Sequence, residues 1–234
     1  MAAAWFCRGA QAQFGSAMLS LFSHPFQLSF CVIPDREITS EDFVRYSKRL
    51  MRLLAEETLT HLPSTPQTIT TPTNTVYDGE LSVAETHPDK VCVVSVVRAG
   101  DSLLESFRDI APGLRVGKLW IQRNEDSPGK EAIHSCTKLP KNMKDMTSVI
   151  LCDPMLATGG SSTTALRILV DEYGVDPNRI VFANVVCCPE GLQLLAKEFP
   201  GVDIITCSVD KELNENKYIV PGLGDYGDRF FNTV

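Results

Sequence analysis

Short, mostly apolar runs alternate with amphipathic segments through the second half of the chain. Each run is too short for an average helix, and most are rich in β-branched residues. Such runs are typical of parallel strands that are covered on both faces. Because helical patterns separate several of them, we predict an α/β fold with a doubly wound, mostly parallel five-stranded sheet flanked by helices. The runs are residues 91–97, 116–122, 149–151, 180–187 and 202–209.

A helical pattern precedes the first of these runs. Thr39 and Ser40 are suited to cap a helix, and apolar residues then recur at helical spacing until the pattern ends near Leu62–Pro63. Residues 63–90 are rich in Thr and Pro, which predicts a loop or an irregular hairpin before the first core strand.

The first 34 residues differ in composition from the rest. They contain no Asp or Glu and a single Arg, whereas a transit peptide would carry several arginines and a secretory signal a longer apolar core. We expect residues 1–23 to form a poorly ordered lead, and Met18 leaves open a shorter natural start. Residues 24–234 are then predicted to form one domain. It has a core over about 91–209 and a lid from 24–90 and 210–234.

Composition argues against several classes of function. The 234 residues carry a formal net charge of −7, which disfavours binding to nucleic acid or to an anionic membrane. None of the eight cysteines belongs to a CxxC pair, so we interpret them as reduced, mostly buried thiols of an intracellular protein. No apolar run approaches the roughly 18 residues needed to span a bilayer. We therefore expect a soluble, cytoplasmic protein.

The segment Asp153–Ser161, DPMLATGGS, joins the run at 149–151 to a helical pattern that continues to Gly174. A strand, a glycine loop and a helix in this order direct unpaired backbone N–H groups and the positive end of a helix dipole at one point. This arrangement suits a phosphate group. The alternative is an ordinary tight turn in which the acid only caps the end of the strand.

Two arginines follow predicted strands. Arg98, with Ala99 and Gly100 beside it, comes after the run at 91–97, and Arg123 comes after the run at 116–122. Open α/β sheets bind their ligands at the carboxyl ends of strands, so both arginines are candidates for an anion site, although a surface ion pair is the alternative for Arg98. Residues 124–147 are predicted to form a solvated loop. We assign no role to its lysines Lys130, Lys138 and Lys141.

The C-terminal segment Tyr218–Arg229, YIVPGLGDYGDR, combines three glycines with the carboxylates of Asp225 and Asp228. Taken alone, this composition favours an irregular tail in which Asp228 and Arg229 pair locally.

These segments together resemble the motifs of one enzyme family. DPMLATGGS is similar to the signature by which phosphoribosyltransferases bind phosphoribosyl pyrophosphate, in the form found in uracil phosphoribosyltransferases. In that branch a single acid, here Asp153 followed by Pro154, stands where the broader superfamily usually has two adjacent acids. The Arg98-Ala99-Gly100 sequence and the C-terminal segment resemble further motifs of this branch, and the resemblance extends from His24 onward.

The resemblance implies a role for each motif, with catalytic roles for Asp225 and Arg98. Mg²⁺ would be bound mainly through the pyrophosphate. Tyr226 departs from the small residue of many family members, which leaves the size of the base pocket open. Uracil would be framed by Ile219, Gly224, Asp225 and Tyr226. Phosphoribosyl pyrophosphate would be bound by Arg98, Arg123, Asp153, Pro154, Met155, Leu156, Ala157, Thr158, Gly159, Gly160, Ser161 and Asp225.

The implied reaction converts uracil and phosphoribosyl pyrophosphate to uridine monophosphate and pyrophosphate in pyrimidine salvage. The family forms dimers and higher assemblies, so we expect a homodimer or homotetramer, while activation by GTP stays open. One alternative is a catalytically inactive homologue that senses phosphoribosyl pyrophosphate or a uridine nucleotide. Another is an enzyme that acts on a different base, against which the uracil-type tail argues.

Overall fold

The computed structural model describes residues 18–20, 30–123 and 132–233, with residues 18–20 and Arg123 described by their backbone alone. The helices are α1 (Ser40–Thr60), α2 (Val83–Thr86), α3 (Gly100–Ile110), α4 (Gly160–Arg167), α5 (Pro189–Glu198) and α6 (Tyr226–Phe231). The strands are β1 (Met18–Ser20), β2 (Ser64–Thr70), β3 (Val76–Ser82), β4 (Val91–Val97), β5 (Arg115–Arg123), β6 (Ala132–Lys138), β7 (Ser148–Cys152), β8 (Met155–Leu156), β9 (Ile180–Cys187), β10 (Asp203–Val209), β11 (Glu212–Leu213) and β12 (Ile219–Val220).

A central sheet organises the chain. Strands β10, β9, β7, β4 and β5 lie side by side in this order and are all parallel. These are the five strands that the sequence predicts, so the α/β fold class is confirmed. After β4 the chain adds β5 on one side and returns to place β7 on the other. The strand order therefore reverses between β4 and β7, which is where open α/β sheets bind ligands.

The side chains of β4 alternate between two cores. Val91 and Val93 pack in the core that α1 and α3 cover. Cys92, Val94 and Val96 pack in the core that α4 and α5 cover. Burial on both faces explains why the sequence of this strand is continuously apolar instead of alternating.

The N-terminal helix and hairpin agree with their predictions. Thr39 caps α1 by accepting a hydrogen bond from the Asp42 amide at 3.1 Å. Strands β2 and β3 then pair antiparallel as a hairpin whose side chains are mostly exposed. The Thr-rich and Pro-rich composition of this segment is therefore that of a solvated hairpin, not of a core element.

The prediction of a loop over residues 124–147 is wrong for Ala132–Lys138, which form the strand β6. This strand pairs antiparallel with β5 at the edge of the sheet. Most of its side chains are exposed, so no buried face imposes a period that the sequence could reveal. Lys138, at its end, and Lys141 are exposed, while Lys130 lies outside the described residues.

Both ends of the chain contribute to the sheet region. Met18–Ser20, within the predicted lead, pairs in parallel with β10, and the remainder of residues 1–23 lies outside the described residues. At the other end, β11, β12 and α6 follow β10 and bring the tail to the carboxyl ends of the strands. The division into a core and a lid stays a prediction.

Among the described helices, none combines the length and the apolar character needed to cross a bilayer.

Candidate active site

An open cleft of about 650 Å³ lies at the carboxyl ends of β4 and β7. The loop after β4, the loop before α4 and the C-terminal tail line it, although they are far apart in sequence. The topology thus brings together most of the residues predicted for the site. Those that line the cleft are Arg98, Asp153, Met155, Ala157, Gly159, Gly160, Ser161, Ile219, Gly224, Asp225 and Tyr226.

The other predicted residues stand outside this lining. The carbonyl of Pro154 accepts hydrogen bonds at 3.0 Å from two amides of β9, and Leu156 is fully buried in the core beneath α4 and α5. The hydroxyl of Thr158 accepts a long hydrogen bond, 3.4 Å, from the Gly160 amide. These three residues shape the loop. Arg123 ends β5, and its side chain lies outside the described part of the chain.

The start of α4 has the geometry of an anion site. Gly159 has φ +85°, in the left-handed region that side-chain-bearing residues rarely adopt. An added Cβ would also meet Leu194 at 3.0 Å. The helix begins at the next residue without a side-chain cap, so backbone N–H groups of its first turn lack an intrahelical partner. A phosphate group is suited to accept from such donors.

Asp153 is held firmly at the end of β7. Its amide donates to the Ala183 carbonyl at 3.4 Å, and its carbonyl accepts from Asn184 Nδ2 at 3.0 Å. The carboxylate accepts a long hydrogen bond, 3.4 Å, from the Met155 amide and lines the cleft. The residue therefore presents carboxylate oxygens to a ligand from a fixed backbone.

Arg98 lines the cleft and also forms an ion pair. Its Nη2 donates to Asp228 Oδ1, its Nη1 donates to Thr233 Oγ1 at 2.9 Å, and its guanidinium lies 5.5 Å from the centre of the Phe231 ring. Hydrogen bonds from Thr233 and Arg98 hold the pKa of Asp228 below its ordinary value. The two interpretations of Arg98 are thus compatible, because the pair lies at the cleft and its partner belongs to the tail.

A partly buried network supports the loop that carries Arg98. Asp101 accepts from Ser95 Oγ at 2.7 Å and from Lys118 Nζ at 3.0 Å. Gly100 permits a close approach, because a Cβ at this position would lie 2.3 Å from the Cys152 carbonyl oxygen. The start of α3 therefore lies directly against the end of β7, next to the residues Arg98 and Asp153 that line the cleft.

The tail reaches the cleft through a tight glycine turn. Gly222 has φ +63° and Gly224 has φ +78°. A Cβ at Gly222 would lie 2.0 Å from the Ile219 carbonyl oxygen, so only glycine fits this backbone. Asp225 follows the turn and caps α6 by accepting from the Asp228 amide at 2.9 Å, while it also lines the cleft.

The phenol of Tyr226 points into the core. The residue is 1% exposed, and its ring lies 5.3 Å from that of Phe43 and 5.7 Å from that of Phe230. Its hydroxyl donates to the sulfur of Met51 at 3.5 Å, and burial raises the pKa of Tyr226 above its ordinary value. The large side chain therefore does not narrow the cleft, which answers the question that the sequence leaves open.

Arg229 does not pair with Asp228, so the local pairing considered for an irregular tail is wrong. Its guanidinium donates to the carbonyls of Ile33 at 2.9 Å, Leu223 at 2.6 Å and Asp35 at 2.6 Å. It also lies 4.3 Å from the centre of the Phe43 ring. Arg229 thus fastens the glycine turn to the chain that precedes α1, a role that only long-range contacts reveal.

The cleft suits a magnesium ion that arrives with a phosphate ligand. Two carboxylates, Asp153 and Asp225, line it, and elsewhere in the described ranges no three metal-ligating side chains cluster. Mg²⁺ usually binds through one or two carboxylates together with substrate phosphates and water. The donor set therefore fits an ion held largely by the substrate.

Comparisons with known proteins agree with this geometry. A family model described as uracil phosphoribosyltransferase matches residues 23–233. The uracil phosphoribosyltransferase of Lachancea kluyveri is 43% identical over 202 residues, which are 86% of this chain and 89% of the relative.

Solved structures share the fold. The AQ2163 protein from Aquifex aeolicus is 29% identical, with a TM-score of 0.76 over 92% of this chain and 97% of that chain. An adenine phosphoribosyl transferase from Trypanosoma brucei, 14% identical, has a TM-score of 0.50 over 89% of this chain and 87% of that chain. With its sequence, its sheet and its cleft in agreement, the chain belongs to the uracil phosphoribosyltransferase family.

Proposed function

We propose that this protein transfers a phosphoribosyl group from phosphoribosyl pyrophosphate to uracil, producing uridine monophosphate and pyrophosphate. One observation carries the proposal. A single cleft collects a helix N-terminus suited to phosphate, an arginine at a neighbouring strand end, and a glycine-rich backbone suited to a planar base. Each of the three parts matches one part of the two substrates.

The substrates would lie along the cleft in a defined order. The 5′-phosphate accepts from the backbone between Ala157 and Ser161, and the ribose hydroxyls donate to Asp153. The pyrophosphate accepts from Arg98 and Arg123, both of which stand at the ends of adjacent parallel strands. Mg²⁺ bound through the pyrophosphate neutralises part of its charge.

The base is read by backbone groups of the tail. Uracil presents an acceptor, a donor and an acceptor along O2, N3–H and O4. The amides and carbonyls of Ile219, Gly224 and Tyr226 provide the complementary groups, and the glycines keep side chains out of the way. Cytosine reverses the pattern at N3 and C4, which leaves mismatched polar groups and reduces its transition-state binding.

The chemical step exchanges one bond at the anomeric carbon for another. The bond from C1′ to the pyrophosphate oxygen breaks, and its electron pair leaves with the pyrophosphate. Uracil N1 forms the new bond to C1′ and loses its proton. We assign the acceptance of this proton to the carboxylate of Asp225. The ribose passes through an oxocarbenium-like state, so catalysis depends mainly on positioning and electrostatic stabilisation.

A direct assay tests the function. The protein is incubated with phosphoribosyl pyrophosphate, Mg²⁺ and labelled uracil, cytosine or a purine, and nucleotide and pyrophosphate are measured. We expect nucleotide to form from uracil and not from cytosine or a purine. Nucleotide formed only from a purine would mean that the enzyme acts on a different base. Binding of phosphoribosyl pyrophosphate without product from any base would favour the inactive sensor.

We further propose that the protein is a homo-oligomer, a dimer or a tetramer. The hairpin of β2 and β3 exposes several large apolar side chains that a second copy would cover: Ile69, Val76, Tyr77 and Leu81. Light scattering on the purified protein measures the assembly, and a monomer at micromolar concentration contradicts the proposal.

Activation by GTP stays a prediction, which is tested by adding GTP to the assay of nucleotide formation. A cytoplasmic location also stays a prediction.

A further inference from the structure

A buried carboxylate lies beneath the glycine turn of the tail. Asp210 follows β10 and is 8% exposed. Its Oδ2 accepts from the Gly222 amide at 2.8 Å, and its Oδ1 accepts from Ser208 Oγ at 3.3 Å. The Asp210 amide in turn donates to the Cys187 carbonyl at 2.8 Å, so the residue is fixed to the ends of both β9 and β10.

The surroundings of Asp210 make this contact costly to lose. Burial raises the pKa of the carboxyl group, while the hydrogen bonds from Gly222 and Ser208 act in the opposite direction. Among the ion pairs of the described residues, none includes Asp210. A buried carboxylate without a paired cation depends on its hydrogen-bond donors, and one of its two donors here is a backbone N–H of the tail.

The position of Gly222 connects this contact to base recognition. Gly222 lies between Ile219 and Gly224, which both line the cleft. The turn is tight, because the Ile219 carbonyl oxygen would contact any Cβ at Gly222. A shift of the Gly222 amide would therefore move both flanking backbone segments relative to the sheet.

We propose that Asp210 is a positioning residue that determines how the tail binds uracil. Its hydrogen bonds hold the turn against the ends of β9 and β10. They thereby set the distance between the base-binding backbone and the phosphoribosyl site. The inference rests on the proposed assignment of uracil to Ile219, Gly224 and Tyr226. It adds a residue that does not line the cleft and that no motif assigns to the site.

A second carboxylate provides a matched control. Glu190, at the start of α5, accepts from the Leu213 amide at 3.2 Å and so fastens the same tail at β11. Like Asp210 it accepts from a backbone amide of the tail, but its contact is exposed and lies at β11 instead of at the glycine turn. Removing Glu190 therefore tests whether the loss of a carboxylate contact elsewhere in the tail is enough to change the binding of uracil.

The test compares Asp210→Ala, Asp210→Asn and Glu190→Ala with the wild-type protein. Losing a charge-assisted hydrogen bond should raise KM for uracil by about tenfold or more in Asp210→Ala. KM for phosphoribosyl pyrophosphate should stay within about twofold of wild type, because the loops after β4 and β7 are untouched. Asp210→Asn retains an acceptor for Gly222 and should restore most of the affinity for uracil. Glu190→Ala should leave both constants near wild type.

A measurement without substrate separates this inference from the proposed function. Hydrogen–deuterium exchange of the peptide covering residues 219–226 should accelerate in Asp210→Ala and stay near wild type in Glu190→Ala. Equal acceleration in both variants, or an unchanged KM for uracil in an active Asp210→Ala, would overturn the positioning role. A wild-type protein that turns over no uracil would refute the proposed function, and the exchange comparison would still decide whether Asp210 holds the turn.

Discussion

The guanidinium of Arg98 forms an ion pair with the carboxylate of Asp228 and thereby joins the loop after β4 to the C-terminal tail. The two residues are separated by 130 positions in the sequence. The Asp228 amide also donates to the Asp225 carboxylate, so one residue contacts both the predicted pyrophosphate side and the predicted base side of the cleft. Four predictions test the roles of these three residues and of Tyr226.

Arg98→Ala should lower kcat/KM for phosphoribosyl pyrophosphate by on the order of a hundredfold, because the pyrophosphate loses a charged donor. Steady-state kinetics measures the effect. Arg167→Ala is the matched control, since Arg167 pairs with Glu198 at 2.7 Å on the surface and does not line the cleft. A near-normal kcat/KM in Arg98→Ala would mean that this arginine serves the ion pair alone.

Asp225→Asn should slow turnover while the affinity for phosphoribosyl pyrophosphate stays close to wild type. Asn caps helices about as well as Asp, so α6 should keep its start and the change should report on proton transfer. Single-turnover kinetics and equilibrium binding measure the two quantities. Asp176→Asn, which alters a carboxylate cap that does not line the cleft, is the control. Unchanged turnover in Asp225→Asn would remove this residue from the chemistry.

Tyr226→Phe should leave the preference for uracil over cytosine unchanged, because the phenol lies in the core, where its hydroxyl contacts Met51. Tyr226→Ala should instead destabilise the fold by about 3–5 kcal/mol through the cavity it creates beside Phe43 and Phe230. Urea unfolding and competition between the two bases measure these effects. A changed base preference in Tyr226→Phe would place the ring at the ligand.

Asp228→Asn should change how the stability of the fold depends on pH under acidic conditions. The pKa of Asp228 in the folded protein lies below the ordinary value of 3.8. Its contribution to stability is therefore complete above that value and is lost as the pH falls through the folded pKa. The difference in Tm between wild type and the variant should be constant near neutral pH and should shrink below about pH 4. A difference that grows on acidification would contradict this assignment.

Local patterns were sufficient for the parts of the fold that are buried on both faces. The run at Val91–Val97 predicts a central strand because most of its side chains pack in one of two cores, and the same reasoning locates β7 and β9, which are buried throughout. It fails for β6, because an exposed edge strand has no buried face to give its sequence a period. The glycine loop before α4 was predictable for a similar local reason, since strand, turn and helix are adjacent in the chain.

The long-range contacts of the site could not be predicted from the sequence. Its motifs predicted that Arg98, Asp153 and Asp225 belong to one site, but the partner of Arg98, the burial of the Tyr226 phenol and the contact of Asp210 with Gly222 depend on the tertiary structure. Each of these contacts joins residues from separate elements, and the choice of partner depends on how β4, β10 and the tail pack together. Sequence patterns record local conformation and burial, whereas ion pairs and buried hydrogen bonds form between whichever groups the topology brings within reach.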